Sequence, residues 1–327
     1  MQTLTIRNSL TSLLLTTSIV GACATFAQEQ NYIVPRTVDG QPDLQGLWTN
    51  DTITPIERPA SMQGREFLST DEIAAMEANL ARRRIEADNN IEVTVGGNIG
   101  GYNQVWLDSG DTVLSTGQTS MIVDPPNGRA PIRESAAAVR DYYFDHVEDH
   151  YIYHTVWDRC LTRGVPGSML PAGYNNAYRF IQTPDTFTIV HEMIHDVRTI
   201  HLNKDTHIDD KVKLFMGDSV AHWEGDTLVV SVSGQMPDTW FDRAGNHHSY
   251  QMIVEERWTP AGPNHINYTA TITDPNTFTD PWSVSFPLYR HVEENMQLLE
   301  FKCVEFAEEY MYGEFRKEGT PIGNPPQ

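Results

Sequence analysis

The second half of the chain alternates apolar and polar residues with a period of two, the pattern of strands that bury one face. The segments are rich in Val, Ile, Thr and aromatic residues, and short turn signals such as Glu224-Gly225-Asp226 separate them. We therefore predict a mainly β fold, an antiparallel meander that closes as a lipocalin-like barrel or folds as a sandwich. The predicted strands are residues 178–182, 187–194, 197–202, 213–216, 220–224, 227–234, 250–259, 266–273, 282–290 and 296–304.

The first half of the chain lacks this alternation. Residues 28–60 are predicted to form an extended arm, which Trp48 holds in place by packing against the rest of the protein. Ser69 and Glu72 form a capping box that predicts a helix as far as about residue 84. Short strands are expected between residues 106 and 123, and a second helix over residues 133–153. We predict that the two helices cover one end of the β domain.

These patterns divide the chain into four parts. An arm with helices and short strands spans residues 28–160, the β barrel or sandwich spans residues 161–313, and residues 314–327 form a loose, polar tail. Residues 1–27 have the features of a signal peptide, with Arg7 ahead of an apolar run. The chain is therefore expected in the periplasm or anchored to the outer membrane.

Two processing sites compete at this leader. Val20-Gly21-Ala22-Cys23 has the form of a lipobox that would place a lipid on Cys23, whereas cleavage after Ala27 would leave no anchor. The sequence leaves both open.

Charge narrows the class of partner. The 327 residues carry a formal net charge of −21, which argues against nucleic acid and anionic membrane surfaces. We expect a small-molecule ligand, and membrane contact only through a lipid on Cys23. The sequence does not indicate an oligomeric state.

Two cysteines follow Cys23. In an oxidising compartment Cys160 and Cys303 are expected to form a disulfide that ties the start of the β region to its end, the alternative being two buried thiols.

Residues 187–202, FTIVHEMIHDVRTIHL, hold the densest chemistry of the chain. His191, Glu192 and His195 spell H-E-x-x-H, and His201 has the spacing of a third zinc ligand, so a zinc hydrolase with Glu192 as base is one alternative. That motif requires a helix, and a metzincin has Gly where this chain has Arg198. The β-branched residues of the segment instead favour a strand. In the strand interpretation we expect the protein to have no cofactor.

In the strand interpretation His191 and His195 share one face. His195 with Glu192 or Asp196 could then act as an acid–base group and Arg198 as an anion clamp, while ordinary cross-strand ion pairs are the competing interpretation. His191 on this strand is a candidate ligand-binding residue. The other candidates lie in loops or at strand starts, and they are Asn103, Trp106, Arg163, Asn175, Asn176 and Tyr178.

Several strings point to a family. They include TSMIVDPPNGRAP, RCLTRGVPG, NNAYRFIQTP and GDSVAHWEGDTLVV, and with them most of the chain resembles a widespread family of exported, β-rich proteins of Gram-negative bacteria. The resemblance implies export and a single domain of constant length, and it supplies no reaction.

Together these features favour an exported protein that binds a small hydrophobic or aromatic molecule in the mouth of a barrel. Turnover without a cofactor, as an isomerase, lyase or hydratase, is an extension of this prediction. A zinc hydrolase and a non-enzymatic envelope interaction protein are the alternatives.

Overall fold

The computed structural model describes residues 32–89, 108, 110–147 and 149–307. Ten strands and two α-helices make up the regular structure. The strands are β1 (Gly46–Thr49), β2 (Ile122–Asp124), β3 (Ala177–Gln182), β4 (Thr186–His191), β5 (Val197–His201), β6 (Asp218–Glu224), β7 (Thr227–Ser233), β8 (Ile253–Gly262), β9 (His265–Thr273) and β10 (Trp282–Arg290). The helices are α1 (Thr70–Asn89) and α2 (Glu134–Asp145), with 3₁₀ turns at Ala60–Met62, Tyr151–Tyr153, Gly167–Met169 and Met193–His195.

Nine strands form one closed barrel, which confirms the mainly β fold and selects the barrel over the sandwich. Strands β3 to β10 follow one another in chain order, and β1 closes the circle by pairing with β3 and β10. β2 also pairs with β10, on the edge of β10 that β1 occupies, and extends the sheet there. The barrel is mixed rather than wholly antiparallel, because β5 and β6 pair in parallel at His201 and Val220.

Three predicted segments differ from the structure. The strand expected over residues 187–194 ends at His191, and residues 213–216 form only a single bridge, between Leu214 and Gln235. Residues 296–304 contain no regular structure and run across the outside of the barrel. Alternation alone does not show whether an apolar segment has a neighbouring strand with which to pair.

The two helices contact loop residues, α1 at Val113 and α2 at Trp240. The capping box is confirmed, since Ser69 N donates to Glu72 and Glu72 N donates to Ser69 Oγ. α2 is shorter than predicted, and its Tyr143 ring lies 6.1 Å from Trp240 in the loop after β7.

The barrel interior is filled by large side chains. The ring centroid of Trp258 lies 4.6 Å from that of Tyr268 and 5.5 Å from that of Phe180. At the centre, Arg198 forms a bidentate ion pair with Glu256, whose Oε1 also accepts the Tyr268 hydroxyl at 2.8 Å. These side chains form a packed core around the buried ion pair.

The disulfide and the docking of Trp48 follow the prediction, whereas residues 46–49 of the predicted arm form barrel strand β1. Trp48 of β1 is 1% exposed, and its indole N–H donates to Leu44 O at 3.0 Å. Cys160 and Cys303 are disulfide-bonded, with Cα atoms 5.7 Å apart. A disulfide is typical of an oxidising compartment.

In the described ranges, no helix combines the length and apolarity needed to cross a membrane. The predicted leader, Cys23, Asn103, Trp106 and residues 314–327 lie outside the described residues.

Candidate functional site

The H-E-x-x-H segment folds as the end of a strand followed by a strained turn. His191 is the last residue of β4, and the turn has positive φ at Ile194 (60°) and His195 (50°). A β-branched residue rarely adopts this conformation, and such outliers concentrate at functional sites. The predicted alternation of His191 and His195 on one face is therefore wrong, because the strand ends between them.

Glu192 anchors a segment of the chain on the outside of the barrel. We call residues 291–303 the strap. Glu192 is 3% exposed, and its Oε1 accepts the Leu299 N–H at 2.8 Å. The strap is also held where His291 N donates to Leu47 O at 2.9 Å, and where Cys303 bonds Cys160.

A groove of about 490 Å³ lies between the strap and the barrel wall. The rings of Tyr174 and Phe301 are nearly parallel, at 8° and a centroid distance of 6.4 Å. Met296 and Leu299 add apolar surface, and Asp108, Glu192 and His291 supply polar groups. The remaining lining residues are Asn175, Ala177, Glu300 and Lys302. Most small-molecule sites combine an apolar lining with a few polar groups in this way.

Asp108 is the most perturbed carboxyl group of the groove. Burial raises its pKa to about 6, with smaller contributions from the carboxylates of Asp51 and Glu192. The N–H of Asn176 donates to Asp108 Oδ2 at 2.7 Å and lowers the pKa in part. A carboxyl group with a raised pKa in a cleft is suited to proton transfer near neutral pH.

Asn176, a predicted ligand-binding residue, positions Asp108 instead. It is fully buried, and its Nδ2 donates to Asp108 O at 2.6 Å and to Ala172 O at 2.9 Å. Its Oδ1 accepts the Ala172 N–H at 2.7 Å, so both polar atoms of the side-chain amide have hydrogen-bonding partners within the protein.

His191 and Tyr178 meet on the inner side of the same wall. His191 is 2% exposed, its ring centroid lies 5.3 Å from that of Tyr178, and neither imidazole nitrogen has a hydrogen-bonding partner among the described residues. Burial, followed by the cations of Arg198 and Arg163, lowers the pKa of His191 to about 3, while the nearby backbone of Ser168 opposes the shift in part. Its imidazole is therefore neutral at physiological pH.

The four predicted catalytic residues do not assemble. His195 is exposed in the turn and Glu192 is bonded to the strap, whereas Arg198 points into the barrel and pairs with Glu256. Asp196 is partly buried, which raises its pKa. The alternative of ordinary ion pairs also differs from the structure, since Arg198 has its partner in the core rather than on a wet face.

The three histidines of the zinc alternative diverge. His191 points inward, His195 lies in the turn, and His201 follows the outward positions of β5. No group of three or more His, Cys, Asp or Glu residues that could hold a metal occurs in the part of the chain that the structure describes.

Two polar groupings were missed at the sequence level. Asp108 had no motif around it, and its perturbation depends on contacts from distant segments. His207 bridges Asp218 and Ser231, with Nδ1–Oδ2 and Nε2–Oγ distances both 2.9 Å. The acid–histidine–serine order is that of a catalytic triad. However, Ser231 lies in the middle of β7, which pairs with β6 on one side and β8 on the other, so the nearby main-chain N–H groups bond to the sheet and cannot stabilise an oxyanion.

Comparison with known proteins found no matching family model, no matching curated protein and no matching solved structure. The groove and the inner wall behind it are the features of the molecule that indicate function.

Proposed function

We propose that the protein binds a small molecule with an aromatic or apolar body in the groove beneath the strap. The observation that carries the proposal is the combination of a preformed cavity of about 490 Å³ with near-parallel rings at Tyr174 and Phe301. A volume of this size suits a ligand of one to a few rings.

The polar groups of the groove favour a ligand that donates hydrogen bonds. Asp108 and Glu192 both present carboxyl groups, and one Glu192 oxygen is already bonded to Leu299 N. A hydroxyl or amino group on an aromatic ring would satisfy these acceptors while the ring contacts Phe301. This refines the predicted ligand class and moves the site from the barrel mouth to the outer wall.

Fluorescence titration with 2-naphthol, which has two fused rings and one donor, tests the proposal. Phe301→Ala should weaken binding about tenfold, since an aromatic contact contributes ~1–1.5 kcal/mol. Phe144→Ala is the matched control, because Phe144 is 74% exposed on α2 and lies outside the groove lining. Equal weakening by both variants, or no saturable binding to the wild type, would contradict the proposal.

Turnover without a cofactor is a second candidate, favoured by the pKa of about 6 at Asp108. Asp108 would transfer a proton to or from a ligand held against Phe301, the role first predicted for His195. For any ligand that is converted, Asp108→Asn should abolish kcat while changing the dissociation constant little. A variant that keeps its kcat would exclude this mechanism.

Export is part of the proposal. The disulfide and the leader-like residues 1–27 support a periplasmic location. Cell fractionation of the wild type and of Cys23→Ala separates the two alternatives: release from the membrane in the variant alone indicates a lipid anchor, and a cytoplasmic protein would contradict export.

A further inference from the structure

Arg163 is a buried cation without a counter-ion. The residue is 5% exposed, and among the described residues no carboxylate pairs with its guanidinium and no oxygen accepts a hydrogen bond from it. Its one defined contact is the Trp157 ring, whose centroid lies 5.4 Å from Cζ. Arginine remains charged in proteins, and burying an unpaired charge is strongly unfavourable.

The other buried arginines show how this fold treats a structural cation. Arg198 has a bidentate carboxylate partner in Glu256, and the guanidinium groups of Arg58 and Arg159 donate to oxygen atoms of Thr119, Pro126 and Asp238. Arg163 has no oxygen partner of either kind among the described residues. The contrast indicates that the partner of Arg163 comes from outside the chain.

Further polar atoms around Arg163 lack partners. The hydroxyl of Ser168 and both ring nitrogens of His191 are buried and make no hydrogen bond within the described residues. The Tyr178 hydroxyl donates to Ser168 O at 3.1 Å. The ring centroids of Tyr178 and His191 are 5.3 Å apart. Burial lowers the pKa of Arg163, with an opposing contribution from Tyr178, and Arg163 contributes to the lowered pKa of His191, so these side chains share one neighbourhood.

The acidic residue with the largest effect on Arg163 is engaged elsewhere. Asp242 accepts the N–H groups of Ala244 and Asn246 at 2.9 and 3.2 Å, and the Asn246 amide at 2.6 Å. Its carboxylate is therefore held by its own loop and does not bond to Arg163.

We propose that Arg163, with Ser168 and His191, binds the carboxylate of a small organic ligand. The guanidinium offers a fork of N–H donors that matches a carboxylate, and the Ser168 hydroxyl and the imidazole N–H supply further donors. A carboxylate carries one negative charge and balances the one buried cation. A phosphate dianion would add a second charge close to Asp108 and Glu192, which already act on Tyr178 electrostatically.

This carboxylate site adjoins the groove, since Tyr174 of the groove acts electrostatically on Arg163. Arg163, Ser168 and His191 are not among the groove-lining residues, so neither proposal depends on the other. Tyr178 and His191 face inward, whereas Ala177 and Glu192, their neighbours in the chain, line the groove. Phe301→Ala and substitutions of Arg163 therefore report on separate sites.

Thermal unfolding without added ligand gives the first test. Arg163→Met removes an uncompensated cation and should raise the melting temperature, whereas replacing a structural arginine lowers it. Arg243→Met is the matched control, because Arg243 is exposed and its Cζ lies 5.3 Å from the same Trp157 ring. We expect Arg163→Met to melt ~2–4 °C above Arg243→Met. A melting temperature below that of the control would overturn the proposal.

Carboxylate binding gives the second test. Benzoate and acetate should raise the melting temperature of the wild type saturably, and benzyl alcohol and phenylphosphonate should do so far less. Arg163→Lys keeps the charge but loses the fork, so benzoate affinity should fall about tenfold, and Arg163→Met should abolish it. Equal stabilisation of the wild type and Arg163→Met by benzoate, or no carboxylate effect on the wild type, would refute the assignment.

Discussion

Replacing His191 with leucine should make the protein more resistant to acid. The imidazole is 2% exposed, and both of its nitrogens lack hydrogen-bonding partners within the described ranges. Burial and the cations of Arg198 and Arg163 hold its pKa at about 3, compared with 6.5 for an unperturbed histidine. Leucine fills a similar space, cannot be protonated and leaves no unpaired nitrogen.

The size of the effect follows from proton linkage. Because the folded-state pKa of His191 is below the unfolded-state pKa, the unfolded chain binds more protons between the two values. The contribution of neutral His191 to stability is therefore complete above pH 6.5 and is lost as pH falls towards 3. The loss is ~3 kcal/mol at pH 4.5 and approaches ~5 kcal/mol below pH 3.

Urea denaturation at pH 7.5 and pH 4.5 measures this loss. His191→Leu should lose ~3 kcal/mol less than the wild type between the two pH values. Other groups, such as buried His248 with its pKa of about 4, titrate in both proteins and cancel in the comparison. His195→Asn is the control, because His195 is exposed and asparagine tolerates its positive φ. If His191→Leu and the wild type lose the same free energy, His191 is not held neutral by burial.

Three further changes have defined outcomes. Asp108→Asn should raise the free energy of unfolding by ~2 kcal/mol at pH 7.5, after allowance for solvent on the open side of the carboxyl. It should have little effect at pH 4, because the stability cost of a folded-state pKa raised from 3.8 to about 6 accumulates as pH rises between these two values; equal gains at both pH values in urea titrations would contradict this. Arg198→Met should cost ~3–5 kcal/mol by leaving Glu256 buried and unpaired, and the double variant with Glu256→Gln should recover most of the loss, which a chemical-denaturation cycle would show. Replacing Cys160 and Cys303 with serine should cost ~2–5 kcal/mol, given their separation of 143 residues, whereas an unchanged denaturation midpoint would show that the bond does not stabilise the fold.

The barrel was predictable because period-two alternation records which face of each strand is buried. Along β9, Ile266, Tyr268, Ala270 and Ile272 are buried and the residues between them are more exposed. The closing strand was harder to predict, since β1 has only four residues and pairs with segments more than a hundred residues away. Local pattern identifies a strand, but the neighbours of that strand are set by the whole chain.

The site was less predictable, for a different physical reason. Residue types singled out His191, Tyr178 and Arg163, which the fold does bring together. Asp108 could not be recognised, because its pKa depends on burial by residues from other parts of the chain. Arg198 carried a misleading signal: its neighbours in the sequence suggested a catalytic group, and its actual partner, Glu256, is 58 residues away.

The H-E-x-x-H motif matters in this fold because it lies at the end of a strand, and not because its histidines have the spacing of zinc ligands. β4 ends with His191 facing into the barrel, and the chain turns at the next residue, Glu192, whose carboxylate reaches out to the strap. One dipeptide thus contributes an inward imidazole beside Arg163 and an outward carboxylate in the groove. The turn at Ile194 then reverses the chain within a few residues, so that Arg198 re-enters the core to neutralise Glu256. In a helix, by contrast, His191 and His195 would lie on one face, and neither the groove nor the carboxylate site could form at this wall.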